Sequence, residues 1–197
     1  MTPPPPLIET AEGWWFHTDG AERRGPFTTR GDALWACEIY ADCVLHKRDI
    51  LTFSTMRYRF LSNFWLVQVD FDGVLYRSTE HAFQAAKTLV HEEREQIRTA
   101  YSPGAAKGLG RRVHLREDWE HIKINVMYEL LVQKFHTEPL RLWLPQTGDV
   151  ALVEGNTWGD AFWGITGNGT GEGRNELGKL LVRVRAELRE ESDTCPP

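Results

Sequence analysis

Four side chains between Ser78 and His91 have the types and spacing to hold a polar ligand. At ~100° per helical residue, Glu80, Gln84, Lys87 and His91 project within one ~60° arc. Ala82, Phe83, Ala86, Leu89 and Val90 take the opposite side. One face is thus apolar, and the other lines up an acid, an amide and an amine. That mixture suits a ligand carrying hydroxyls and phosphate. The helix dipole favours an ionised carboxylate in a first turn, so Glu80 can orient water, act as a general base or stabilise a cationic centre. The same row also arises on an ordinary solvated face, and Glu80 also reads as a capping residue.

Other segments add chemistry of the same kind. Asn63, within Phe60-Leu61-Ser62-Asn63-Phe64, stands just before a strand and can bond a ribose hydroxyl or a base edge, or simply form a turn. In Ala105-Ala106-Lys107-Gly108-Leu109-Gly110-Arg111-Arg112, small residues allow close backbone approach, and Lys107 and Arg111 can meet phosphate. The spacing is not that of a P-loop. The same run also reads as a short helix with a glycine stop. Trp119, one step after Asp118, can stack on a planar base or staple the start of a helix. The stretch Gly155–Gly173 is a glycine-rich loop containing Trp158, Asp160 and Trp163, followed by Asn175 at a helix start. Aromatic residues argue against disorder there, and a loop of that length in a compact domain is usually functional.

These groups need elements to position them. Gly13–Thr18 reads as a strand, Asp19-Gly20 as a hairpin turn, and Glu22–Arg24 as the return, broken by Gly25-Pro26. Thr29 caps a helix, with Asp32 three residues on. This gives a small ββα module over residues 9–46, after a proline-rich tail over 1–8 that is expected to be disordered. Lys47-Arg48-Asp49 reads as the junction. Residues 50–191 form the main domain: a strand near Ile50–Phe53, a Trp65–Phe71 and Val74–Tyr76 hairpin across Asp72-Gly73, and then the Glu80 helix capped by Ser78 or Thr79. Helices follow over Glu93–Ala100, after Ser102-Pro103, after Asp118 and after Thr137, with a short strand at Val150–Val153. The last helix repeats Leu177, Leu180, Leu181, Val184 and Leu188 at helical spacing. Residues 192–197 read as a second disordered tail. The pattern is α+β: mostly helical, with a few short strands.

Bulk properties narrow the partners. The 197 residues carry a net charge of −5, which disfavours a broad nucleic-acid footprint while leaving room for a single-stranded or flipped base. Three cysteines without a CxxC pair imply neither a disulfide framework nor a zinc site. The start Met1-Thr2-Pro3-Pro4-Pro5-Pro6 is not a signal peptide, and no apolar run approaches a membrane span. A cytoplasmic protein is expected, with no metal and no cofactor.

In order, FLSNF (60–64), STEHAFQAAK (78–87), SPGAAKGLGRRV (102–113), REDW (116–119), INVMYELLVQKF (124–135), LVEGNTWGDAFWG (152–164) and GRNELGKLLVRVR (173–185) resemble the NADAR, or YbiA-like, domain family. The resemblance covers roughly residues 50–190. It departs at Ile165, where many relatives have a polar residue or glycine, and in the N-terminal module, which is not part of the family core. It implies a YbiA-like fold and an N-glycosidase that hydrolyses the bond between ribose C1 and a nitrogen. Implied substrates are phosphoribosylamino-pyrimidines of riboflavin synthesis or ADP-ribose attached to guanine. Carried over by motif, Glu80 is the catalytic carboxylate, with Asp160, Trp119 and Trp163 at further active-site positions. Asn63, Phe64, Gln84, Lys87, Lys107, Arg111, Gly164 and Asn175 are then the expected substrate contacts. Glu80 is expected to share a pocket with Trp163 and Asp160. Two other readings stand beside this one. One is a nucleotide- or ADP-ribose-binding module without turnover. The other is a platform whose N-terminal module recognises a protein partner.

Overall fold

The structure is a computed structural model that describes residues 3–48, 50–53 and 55–194. In chain order the strands are β1 (Leu7–Thr10), β2 (Gly13–His17), β3 (Arg23–Phe27), β4 (Ile50–Thr52), β5 (Leu66–Phe71), β6 (Val74–Ser78) and β7 (Ala151–Val153). The helices are α1 (Arg30–Tyr40), α2 (Thr79–Ala85), α3 (His91–Arg98), α4 (Pro103–Gly110), α5 (Trp119–Phe135), α6 (Leu140–Trp143), the single turn α7 (Thr166–Gly169) and α8 (Glu176–Thr194). The fold class is α+β, as the sequence implies. The chain packs as two compact units, Met1–Arg57 with Glu138–Pro197, and Tyr58–Thr137.

In the first unit, β1, β2 and β3 form an antiparallel sheet in that order. The N-terminal module is therefore βββα rather than ββα. Leu7 and Ile8, assigned by sequence to the proline-rich tail, pair with Phe16 and Trp15. Thr10 closes the turn, since its hydroxyl donates to the Gly13 carbonyl and accepts from the Trp15 indole at 3.1 Å. β3 also runs through Gly25-Pro26 instead of breaking there. The register slips opposite Trp15, and Gly25 takes φ +136 against the Trp15 ring, a backbone state that suits glycine. Thr29 caps α1 as expected, accepting from the Asp32 amide and donating to its carboxylate. The apolar face of α1 packs on the sheet through Phe16, Phe27, Ala33, Ala36, Ile39 and Tyr40, with Phe16 stacked on Phe27.

The same unit pairs β4 with β7 in parallel, Leu51 opposite Leu152. The periodic leucines and Val184 of α8 are all buried. α8 runs to Thr194, beyond the expected boundary at 191. Asp49 of the expected junction, together with Met1, Thr2 and residues 195–197 of the expected tails, lies outside the described residues.

In the second unit the β5–β6 hairpin turns through Asp72 and Gly73, both at positive φ, and the Asp70 carboxylate accepts from the Gly73 amide. Ser78 caps α2 and Ser102 caps α4. α2 is buried along its whole length, so its polar row is not a solvated face. It ends at Ala85, however, and the chain turns through Lys87 and Thr88 before α3 starts at His91. Lys87 and His91 are thus not on the helix that carries Glu80. Asp118 precedes α5 without capping it through its side chain, because its carboxylate pairs with the Arg116 guanidinium at 2.6 and 3.0 Å. The fully buried Lys134 of α5 donates to the Ser62 carbonyl at 2.8 Å. Among the described residues no helix is long and apolar enough to cross a membrane.

Candidate active site

Glu80 begins in a local cap. The Ser78 hydroxyl accepts from the His81 amide and lies 2.7 Å from His81 Nδ1. His81 Nε2 is 3.2 Å from the Ala100 carbonyl. A neutral imidazole protonated on Nε2 satisfies both contacts, and burial correspondingly pushes its pKa down. The Glu80 amide donates to the Asn63 carbonyl at 3.0 Å. Hairpin, cap and FLSNF turn together fix where the Glu80 side chain leaves the backbone.

The Glu80 side chain is itself buried, with the residue only 5% exposed. Gln84 Nε2, one turn on, donates to its Oε1 at 2.8 Å. Burial drives the Glu80 pKa upward. The positive charge of Lys107, the Gln84 hydrogen bond, and the charges of Lys87 and Arg111 oppose burial without overcoming it. One carboxyl poised above its ordinary range therefore sits in the field of three cations. Lys107 Nζ is 5.8 Å from the Phe64 ring centroid, and Lys87 Nζ the same distance from that of Phe83. Asn63 is buried, with Nδ2 on the Met127 sulfur and Oδ1 left without a hydrogen-bond partner. Thr79 Oγ1 and Gln84 Oε1 are also buried and unpartnered. Unmet acceptors beside a carboxylate are what a hydroxylated ligand would satisfy.

Of the sequence-assigned residues, the structure thus gathers Asn63, Gln84, Lys87, Lys107 and Arg111 around Glu80. Phe64 is the half-open ring beneath Lys107. Trp119 is only 5% exposed and tilts against Phe83 at 5.0 Å, so it is a packed wall rather than an open stacking plane. His91 opens a separate helix and has no part in this cluster.

Gly110 has a role here that the sequence reading missed. It reads as a helix stop, but a Cβ at this position would collide with the Gln84 amide and stand 2.8 Å from Gln84 Cβ. The absent side chain makes room for the residue that holds Glu80. His81 was likewise passed over in the sequence. Its neighbour Ser78, read as a cap, was the available signal.

In the other unit, the Glu154–Gly173 loop is ordered by its own polar groups. Asn156 is buried, accepting from the Asp160 amide and donating to the Asp160 and Ile165 carbonyls. Asp160 Oδ1 accepts from the Phe162 and Trp163 amides at 3.1 and 2.9 Å. That contact fixes the turn on which the half-buried Trp163 ring stands, edge-on to Phe162 at 5.0 Å. Both amide atoms of Asn175 are engaged by β7 and its continuation, accepting from the Glu154 amide and donating to the Leu152 carbonyl. Gly164 lets the chain cross the Glu154 carbonyl, which a Cβ there would strike. Among the described residues no group of three or more His, Cys, Asp or Glu is placed to hold a metal ion.

Comparison with known proteins supplies the family. Over 131 residues the chain is 43% identical to N-glycosidase YbiA of Shigella sonnei, which covers 64% of this chain and 79% of that protein. It is 38% identical over 134 residues to a riboflavin biosynthesis protein of Vibrio vulnificus, spanning 66% of this chain and 36% of the relative. The NMR structure of the Escherichia coli protein YbiA superposes with a TM-score of 0.65 at 37% identity, covering 76% of this chain and 91% of that one. The NADAR domain model matches residues 52–189, so the chain belongs to the NADAR family.

Proposed function

We propose that this enzyme hydrolyses the C1–N bond between a phosphorylated ribose and a nucleobase or base-like amine, with Glu80 as its catalytic carboxylate. The enzyme class rests on the N-glycosidase relatives. The observation that carries the residue assignment is the buried Glu80 carboxyl, held by Gln84 within the field of Lys87, Lys107 and Arg111.

Breaking this bond builds positive charge on C1 and the ring oxygen. An ionised Glu80 offsets that charge and accepts a proton from the attacking water. The water oxygen bonds to C1, the C1–N electron pair leaves with nitrogen, and that nitrogen gains a proton. The three cations bind the phosphate of the sugar, where a charge-assisted contact is strong. The side-chain oxygens Asn63 Oδ1 and Gln84 Oε1 accept from ribose hydroxyls.

Two substrate groups fit this chemistry: phosphoribosylamino-pyrimidines, favoured by the riboflavin biosynthesis relative, and ADP-ribose attached to guanine. A product assay across both groups, with NAD as a third arm, tests the reading. Release of free base with ribose phosphate or ADP-ribose supports hydrolysis. Tight binding of all three with no product would identify a binding module instead.

A further inference from the structure

Two of the three cations around Glu80 stand outside the helices. Lys87 lies in the turn between α2 and α3, and Arg111 opens the stretch between α4 and α5. An irregular segment holds a side chain in place only if its backbone is tied down from outside. The ties here converge on one carboxylate, that of Glu93 on α3.

Glu93 Oε2 accepts from the Thr88 hydroxyl at 2.6 Å. Thr88 is fully buried, and the same hydroxyl accepts from the Val90 amide at 3.1 Å. The Glu93 carboxylate also takes up the other segment. The His114 amide lies 3.2 and 3.0 Å from its two oxygens, and His114 Nδ1 meets Oε1. The Thr88 hydrogen bond, the largest of several such contacts, holds the Glu93 carboxyl below the ordinary carboxylate range. An ionised carboxylate only accepts, so Thr88 and His114 both donate to it.

Both cations sit within a few residues of this junction. Lys87 precedes Thr88, and its carbonyl accepts from the Arg116 amide at 2.8 Å. The Thr88 carbonyl accepts from Arg94 Nε at 2.7 Å, and Arg94 Nη1 pairs with Asp72 at 2.9 Å. Arg111 lies between Gly110, which abuts Gln84, and His114, which is seated on Glu93. The Lys87 turn and residues 111–116 are therefore fastened to one another through Glu93.

We propose that Glu93, acting with Thr88, is a positioning residue for phosphate binding: it sets the spacing between Lys87 and Arg111 and so presents the two cations as one preformed anion site. The proposal rests on the phosphate role given to these cations above. A preformed pair of charges binds an anion without first having to be gathered, so loosening the clasp appears as lost affinity.

The test titrates the full chain with ribose 5-phosphate, reading the dissociation constant from backbone amide NMR shifts and the melting temperature beside it. Thr88→Val keeps the shape and removes the hydroxyl, and Glu93→Ala removes the carboxylate. Each should weaken ribose 5-phosphate by about tenfold, whereas Thr88→Ser, which keeps the hydroxyl, should bind within about twofold of wild type. A clasp that serves stability alone would lower the melting temperatures and leave the dissociation constants unchanged, and that result would overturn the proposal. Lys87→Met tells this failure from a failure of the phosphate reading. If wild type shows no saturable binding, or Lys87→Met binds as well as wild type, both fall. If Lys87→Met binds more weakly while Thr88→Val and Glu93→Ala do not, the clasp alone falls. Should Thr88→Val fail to fold, Glu93→Ala decides the matter, since that side chain is partly exposed.

Discussion

Gln84 donates its side-chain amide to Glu80 Oε1 at 2.8 Å from one turn further along the same buried helix. The bond favours the carboxylate, whereas burial favours the acid, and burial is the larger effect. Gln84→Met removes the donor and keeps the volume. The Glu80 pKa should then climb further, so the acidic limb of the pH–rate profile should move to higher pH. A limb that stays in place would show that Gln84 does not tune this group.

Gly110 is the counterpart of that contact, because it leaves the space the Gln84 amide occupies. Gly110→Ala should destabilise the fold by about 1–3 kcal/mol through overpacking, and should also lower kcat. Combining it with Gln84→Ala should restore part of the stability, since the amide atoms that collide most closely are gone while the Cβ at 2.8 Å remains. Denaturant unfolding of the two single variants and the double reads the coupling directly. Strictly additive losses would contradict the packing relation.

How much of this was legible beforehand follows from what each signal measures. Ser78, Ser102 and Thr29 were readable as caps because capping depends on the residue and its next three neighbours. The Glu80–Gln84 pairing was readable from helical spacing. Lys87 was placed on the same helix by that spacing, yet it reaches the site from the turn beyond Ala85. A periodicity carries no mark of where a helix stops. β1 was missed because Leu7–Thr10 is short, follows prolines, and gains its pairing only from Trp15 and Phe16. Trp119 read equally as a stacking plane or a helix staple, because burial against Phe83 is a tertiary fact. The unpartnered oxygen of Asn63 was invisible for the same reason.

His81 makes stability depend on pH. Burial holds its pKa below the ordinary histidine value, about 6.5 in an unfolded chain. Above that value both states are neutral and the group is silent. As pH falls below it, the unfolded chain takes up the proton more readily, and stability declines toward the folded pKa. Melting temperatures measured between about pH 7.5 and 5 should fall, and a His81→Gln variant should show a shallower decline. An equal slope in both proteins would locate the dependence elsewhere.

The structure gives Asp160 one role, and its family motif implies a second. Its Oδ1 holds the Phe162 and Trp163 amides, and an asparagine could do the same. Asp160→Asn should therefore keep the loop and its tryptophan fluorescence. If the catalytic part that its motif implies is real, the same variant should lose about 100-fold in kcat. Full activity in Asp160→Asn, with loss only in Asp160→Ala, would leave the residue as a turn former alone.

Glu80→Gln is the most direct test of the central claim. In the unfolded chain Glu80 ionises near the ordinary value, whereas burial disfavours the charge in the fold. The wild-type residue thus costs stability as pH rises above about 4.5. Glutamine keeps an acceptor for Gln84 without the charge. Melting and turnover should be measured on the same preparation at neutral pH. The account predicts a higher melting temperature, by roughly 2–4 °C per kcal/mol gained, together with a fall in kcat of at least about 100-fold. A variant that melts at or below wild type while releasing base at the wild-type rate would contradict it.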